Sequence, residues 1–153
     1  GLVRAYGSGL SIVRTNTGRD IASGSSTLDP ERWAHAGVVL TTYETMRDYH
    51  FSFARTPFSV LIYDEVQKLK NPASQVTAAA RSLNGRFQIA MTGTPVENRL
   101  QDLWSILDVT HPALLGSSRS FEAEYARADV QRLQTLNDQL TQPQHGRPPV
   151  MLR

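Results

Sequence analysis

Asp64 and Glu65 stand side by side where the apolar run Ser59-Val60-Leu61-Ile62-Tyr63 ends. Adjacent carboxylates can divide labour: one holds a hydrated magnesium ion, and the other orients or deprotonates a water. Nucleotide hydrolysis uses such a pair. A buried parallel strand reads as a short unbroken apolar run, and ligands bind at the carboxyl ends of such strands. Alone, the pair also fits an ordinary acidic turn. A second apolar run, Gln88-Ile89-Ala90-Met91, leads into Thr92-Gly93-Thr94-Pro95. Glycine admits backbone conformations that other residues resist, and Thr92 and Thr94 can hydrogen-bond across to the neighbouring strand end. An ordinary turn is again the plainer alternative. The segments lie about 25 residues apart, the span of one βαβ unit, which puts both loops on one rim of one sheet.

The elements that must position these residues follow from punctuation and periodicity. Residues 2–6 and 11–14 read as short strands. Gly7-Ser8-Gly9 reads as a plain turn, and residues 14–27 as a polar loop. Asp29-Pro30-Glu31 starts a helix that ends near Gly37. A strand over 38–42 and helical turns over 44–54 precede the carboxylate strand at 59–63. Asn71-Pro72 reads as a cap and first helical position. Val76, Ala79, Ala80 and Leu83 form the buried face of that helix, and Gly85 stops it. A strand follows at 87–91. Asn98 caps the next helix, with Gln101 placed as in a capping box. Leu100, Leu103, Trp104 and Leu107 share one face of that helix, which His111-Pro112 ends. Strand–helix alternation predicts an α/β domain with a parallel sheet. Beyond it, Phe121 and Tyr125, then Val130, Leu133, Leu136 and Leu140, predict a helical appendage.

Length and composition bound the answer. The chain has 153 residues, enough for one domain with a real core, and is 40% hydrophobic and 20% charged. It lacks cysteine, which excludes disulfides and thiolate metal sites and suits an intracellular protein. No run approaches a membrane span. The net charge of +2 is too small to argue for nucleic acid by itself. His35, His50, His111 and His145 show no metal-ligand spacing. Lys68 and Lys70 are the only lysines, and neither follows a glycine, so the sequence contains no Gly-Lys-Ser/Thr phosphate loop.

The motifs together resemble a known family. Asp64-Glu65-Val66-Gln67 is similar to the Asp-Glu-x-His/Gln box of superfamily-two helicases. Met91-Thr92-Gly93-Thr94-Pro95-Val96-Glu97-Asn98 resembles the Leu-Thr-Gly-Thr-Pro-x-x-Asn motif of the Swi/Snf helicase-like ATPases. Val38-Val39-Leu40-Thr41-Thr42-Tyr43-Glu44 is similar to that family's Thr-Thr-Tyr-Glu strand end. Leu100-Gln101-Asp102-Leu103-Trp104-Ser105-Ile106-Leu107-Asp108 resembles its Leu-x-Asp-Leu-Trp helix. The resemblance runs over residues 38–116.

That resemblance implies the first RecA-like lobe of a two-lobed motor, a three-layer α/β fold of the P-loop NTPase type. Residues 1–116 would form a partial lobe that lacks the P-loop. Residues 117–142 would form a helical appendage, and 143–153 a linker toward a second lobe. ATP and Mg2+ are the implied cofactors, with Asp64 holding the metal through water. Glu65 would position or activate the attacking water, and Gln67, in place of the commoner His, would bond a hydroxyl or phosphate. Thr92, Gly93 and Thr94 would couple nucleotide state to the track. Thr41, Thr42, Tyr43, Lys70 and Asn71 would face nucleic acid. The implied partners are double-stranded DNA and the second RecA-like lobe; exposed sheet edges also suggest a dimer of the isolated chain. The implied location is intracellular: cytoplasm and nucleoid in a bacterium, the nucleus in a eukaryote. A binding module of helicase-like fold, an RNA helicase lobe and a magnesium phosphohydrolase using Asp64 and Glu65 alone are the alternatives. The Thr-Gly-Thr-Pro motif argues against the RNA helicase, and the lack of further converging carboxylates against the phosphohydrolase.

Overall fold

In a computed structural model, residues 12–16, 19–20, 28, 30–33, 35–93, 100–143 and 148–151 are described. The strands are β1 (Ile12–Asn16), β2 (Arg19–Asp20), β3 (Val38–Leu40), β4 (Pro57–Tyr63) and β5 (Asn84–Ala90). The helices are α1 (Pro30–Trp33), α2 (Tyr43–Asp48), α3 (His50–Ala54), α4 (Gln75–Arg81), α5 (Leu100–Thr110), α6 (Ser118–Tyr125) and α7 (Val130–Thr141). A 3-10 turn, Val66–Leu69, follows β4. β4 and β5 pair in parallel, with Val60 opposite Phe87 and Ile62 opposite Ile89. β1 pairs in parallel with β3 and antiparallel with β2. Among the described residues β3 and β4 are not hydrogen-bonded to each other, so the strands form two sheets.

Several boundaries differ from the sequence reading. Residues 2–6, Gly7-Ser8-Gly9, Asp29, Thr94 and Asn98 lie outside the described residues. β3 stops at Leu40 because Thr42 leaves the strand to cap α2, its hydroxyl accepting from the Thr45 N–H at 3.2 Å. The helical stretch expected over 44–54 breaks at Tyr49 (φ −119°, ψ 28°). The following α3 turns Phe53 inward to stack on Trp33, with ring centroids 4.9 Å apart. Asn71 does not cap α4; its side chain accepts from Ala73 N–H in a local turn, and Ser74 caps instead. Gly85 does not stop α4, which ends at Arg81. It lies in β5, where an added Cβ would sit 2.6 Å from Leu61 Cδ1. Close approach between the paired strands, not helix termination, requires that glycine.

Two apolar clusters result. The larger joins Trp33, Met46, Phe53, Leu61, Tyr63, Val66, Leu69, Ala79, Ala80, Ile106 and Val109 beneath β4 and β5. Each large side chain so buried contributes roughly 1.5–3 kcal/mol. The smaller cluster packs Trp104 and Leu107 of α5 against Phe121, Leu136 and Leu140 of α6 and α7. Trp104 Nε1 donates to the Gly116 carbonyl at 3.1 Å. Val150 and Met151 fold back onto this second cluster, and Met151 N–H donates to the Leu140 carbonyl. Arg81 links the clusters, pairing with Asp108 at 2.7 Å and lying over the Trp104 ring.

Candidate nucleotide site at the strand ends

Parallel pairing places the carboxyl ends of β4 and β5 together. The ladder continues past the strands: Met91 N–H donates to the Tyr63 carbonyl at 2.8 Å, and Val66 N–H to the Met91 carbonyl at 2.9 Å. Between these bonds the chain makes a tight turn through Asp64 and Glu65. Glu65 takes left-handed backbone angles, φ 52° and ψ 48°. A non-glycine residue there carries roughly 1–2 kcal/mol of strain and persists only where its surroundings fix it. Here several contacts do so. Asp64 Oδ1 accepts from Glu65 N–H at 3.0 Å, and the Tyr43 hydroxyl donates to the Asp64 carbonyl at 2.8 Å. Val66 is buried immediately after.

Both carboxylates are exposed to solvent. Gln67 Nε2 donates to Glu65 Oε2, and Thr92 Oγ1 donates to Gln67 Oε1 at 2.7 Å. An uncharged amide therefore bridges the two strand ends, one half on each. A glutamine does this with a donor and an acceptor in fixed positions, without a titrating proton.

The 3-10 turn is anchored from below. Leu69 is fully buried, and its carbonyl accepts from Thr77 Oγ1 at 3.1 Å and Ser105 Oγ at 2.7 Å. Thr77 and Ser105 come from α4 and α5 and are fully buried. Sequence reasoning missed both. Ser105 had a signal, a hydroxyl set inside the apolar stretch Trp104-Ser105-Ile106-Leu107, because a buried hydroxyl must find a partner.

The other singled-out residues separate into groups. Tyr43 lies against the carboxylate turn. Burial, then the nearby Tyr63, Asp64 and Glu65, push its hydroxyl well above the usual tyrosine range, so it remains a donor. Lys68 Nζ lies 5.6 Å from the centre of its ring. Thr42 is occupied as the α2 cap, and Thr41 Oγ1 is 3.5 Å from the Thr42 carbonyl. Lys70 and Asn71 are exposed just after the 3-10 turn. Gly93 is exposed with nothing within 4 Å of an added Cβ. Unlike Gly116, at φ 69°, it takes no left-handed conformation.

Among the described residues no group of three or more His, Cys, Asp or Glu could hold a metal. Magnesium binds through one or two carboxylates, substrate phosphates and water rather than in a protein cage. Asp64 has the donor set and the exposure for such a role.

A family model of the SNF2-related domain matches residues 10–153. Zorya protein ZorD of Escherichia coli O139:H28 is 47% identical over 124 residues, which is 76% of this chain and 11% of ZorD. DNA excision repair protein CSB of Oryza sativa subsp. japonica is 34% identical over 91 residues, 60% of this chain and 8% of that protein. The Sulfolobus solfataricus SWI2/SNF2 ATPase core, solved in complex with dsDNA, matches with TM-score 0.66 and 27% identity, over 82% of this chain and 26% of that one. The chain thus spans about a tenth of the length of these two curated relatives. Parallel strands flanked by helices, with this likeness, define a RecA-like ATPase-core fold. The chain belongs to the SNF2-related domain family.

Proposed function

We propose that this chain is part of the ATP-binding and hydrolysing core of a DNA-dependent ATPase that translocates on double-stranded DNA and remodels protein–DNA complexes. The observation that carries the reading is the bridge from Glu65 through Gln67 to Thr92 across two parallel strand ends. It joins the carboxylate suited to activating water to the Thr92-Gly93-Thr94 segment that would couple hydrolysis to the track. Asp64 would hold magnesium through water. When bound, that ion neutralises charge on the phosphates, and phosphoryl transfer otherwise rests on positioning. Gln67 orients the Glu65 carboxylate while leaving Asp64 free to face solvent. Thr41, Lys70 and Asn71 are the proposed nucleic-acid contacts, while the Thr42 hydroxyl is committed to the α2 cap. Hydroxyls and a lysine can bond phosphate oxygens without reading bases. The likeness to the Sulfolobus solfataricus core, which was captured with dsDNA bound, supports the same track.

In the full-length protein a second RecA-like lobe would close the site, inside the cell. The isolated 153 residues contain no Gly-Lys-Ser/Thr loop and are proposed to be inactive, so alone they would serve at most as a binding module. A triplex-displacement assay on the full-length protein tests the track. ATP-dependent removal of a third strand without separation of the duplex supports translocation. Strand separation, or no displacement with intact ATP turnover, overturns it.

A further inference from the structure

Both hydrogen-bonding groups of the Asp64–Glu65 peptide are held. Its N–H donates to Asp64 Oδ1 at 3.0 Å, and its carbonyl accepts from the Tyr43 hydroxyl at 2.8 Å. This one peptide plane sets ψ of Asp64 and φ of Glu65. Rotating the plane would take Glu65 out of its left-handed conformation and move its carboxylate away from Gln67. The Asp64 side chain cannot hold the plane alone if it also serves a metal, because the same carboxylate would be shared. The Tyr43 bond comes from a separate element, the first residue of α2, which the Thr42 cap fixes. Lys68, on the 3-10 turn itself, closes over the Tyr43 ring.

We propose that Tyr43 is a positioning residue for the hydrolytic carboxylate: its hydroxyl clamps the Asp64–Glu65 peptide plane and so holds Glu65 toward Gln67, rather than contacting nucleic acid. The inference rests on the proposed ATPase reading for the role of Glu65, but not for the clamp itself.

The test is Tyr43→Phe in the full-length protein, which keeps the ring and the Lys68 contact. Without nucleotide, amide exchange over residues 64–67 should rise by about tenfold, the equilibrium worth of one lost hydrogen bond, with exchange elsewhere in the domain unchanged. At saturating DNA, kcat for ATP should fall by about tenfold, while KM for ATP and the half-saturating DNA concentration stay within about twofold. Unchanged exchange overturns the clamp. A raised half-saturating DNA concentration with kcat intact overturns the positioning role and restores a DNA contact. If the unsubstituted protein does not hydrolyse ATP, the functional reading falls, and the exchange arm alone decides whether Tyr43 holds the turn.

Discussion

The two faces of the β4–β5 pair are both apolar, yet in this 153-residue segment, about a tenth of the length of the relatives it matches, the described residues cover only one. Leu61 and Tyr63 point into the larger cluster and are 9% and 5% exposed. Val60, Ile62, Phe87 and Ile89, on the opposite face in matched register, are 36–63% exposed. Parallel sheets in α/β proteins are normally covered on both faces. Among the described residues the strand ends that carry Asp64 and Thr92 are held by Leu61, Tyr63 and Val66 packed above α4 and α5, and by the bonds from Thr77 and Ser105. The contrast teaches that apolar character in a strand does not reveal which residues bear the structure; contact does.

The largest expected contrast is between neighbours in β4. In the 153-residue segment Leu61→Ala should cost about 3 kcal/mol by emptying a filled core position, whereas Ile62→Ala should change stability by less than about 1 kcal/mol. Urea unfolding of the two variants reads the difference, and equal losses would erase the distinction between the faces. Gly85→Ala should cost roughly 1–3 kcal/mol, since its Cβ would meet Leu61 Cδ1 and Cγ, on the same covered face. Relief of that loss in a Leu61→Val background would confirm the contact. Ser105→Ala should cost about 1 kcal/mol, because Thr77 still donates to the Leu69 carbonyl. A double-mutant cycle with Thr77→Val would show whether the two hydroxyls share that carbonyl.

A smaller effect is expected with pH. Burial pushes the Tyr63 hydroxyl up to about 12, and it donates to the Ala80 carbonyl. The raised value means that the folded state favours the protonated form. Its stabilisation should be fully present below the unfolded value, about 10, and be lost as pH rises through about 12. Thermal unfolding across that window should slope downward, and the slope should flatten in Tyr63→Phe.

Much of this was legible in the sequence for identifiable reasons. The β4 and β5 runs end in chemistry-bearing residues, and one βαβ spacing sufficed to bring Asp64, Glu65 and Thr92 to one rim. Gln67 stood out only as a departure from histidine; its bridging role needed the register of the two strands. Two readings failed where explanations compete. Gly85 looked like a helix stop, but its requirement comes from Leu61, 24 positions earlier. Asn71-Pro72 carried a cap signature, but Ser74 lay three residues on with an equally good one. Tyr43 sits 21 residues from Asp64, and no local pattern announces a hydroxyl that reaches a distant carbonyl.

The most direct test of the account is ATP hydrolysis by the full-length protein, with and without double-stranded DNA, beside Glu65→Gln. The account predicts turnover that DNA stimulates and that falls by at least about 100-fold in the variant, the usual worth of a catalytic base. No turnover, or turnover indifferent to Glu65, would contradict it.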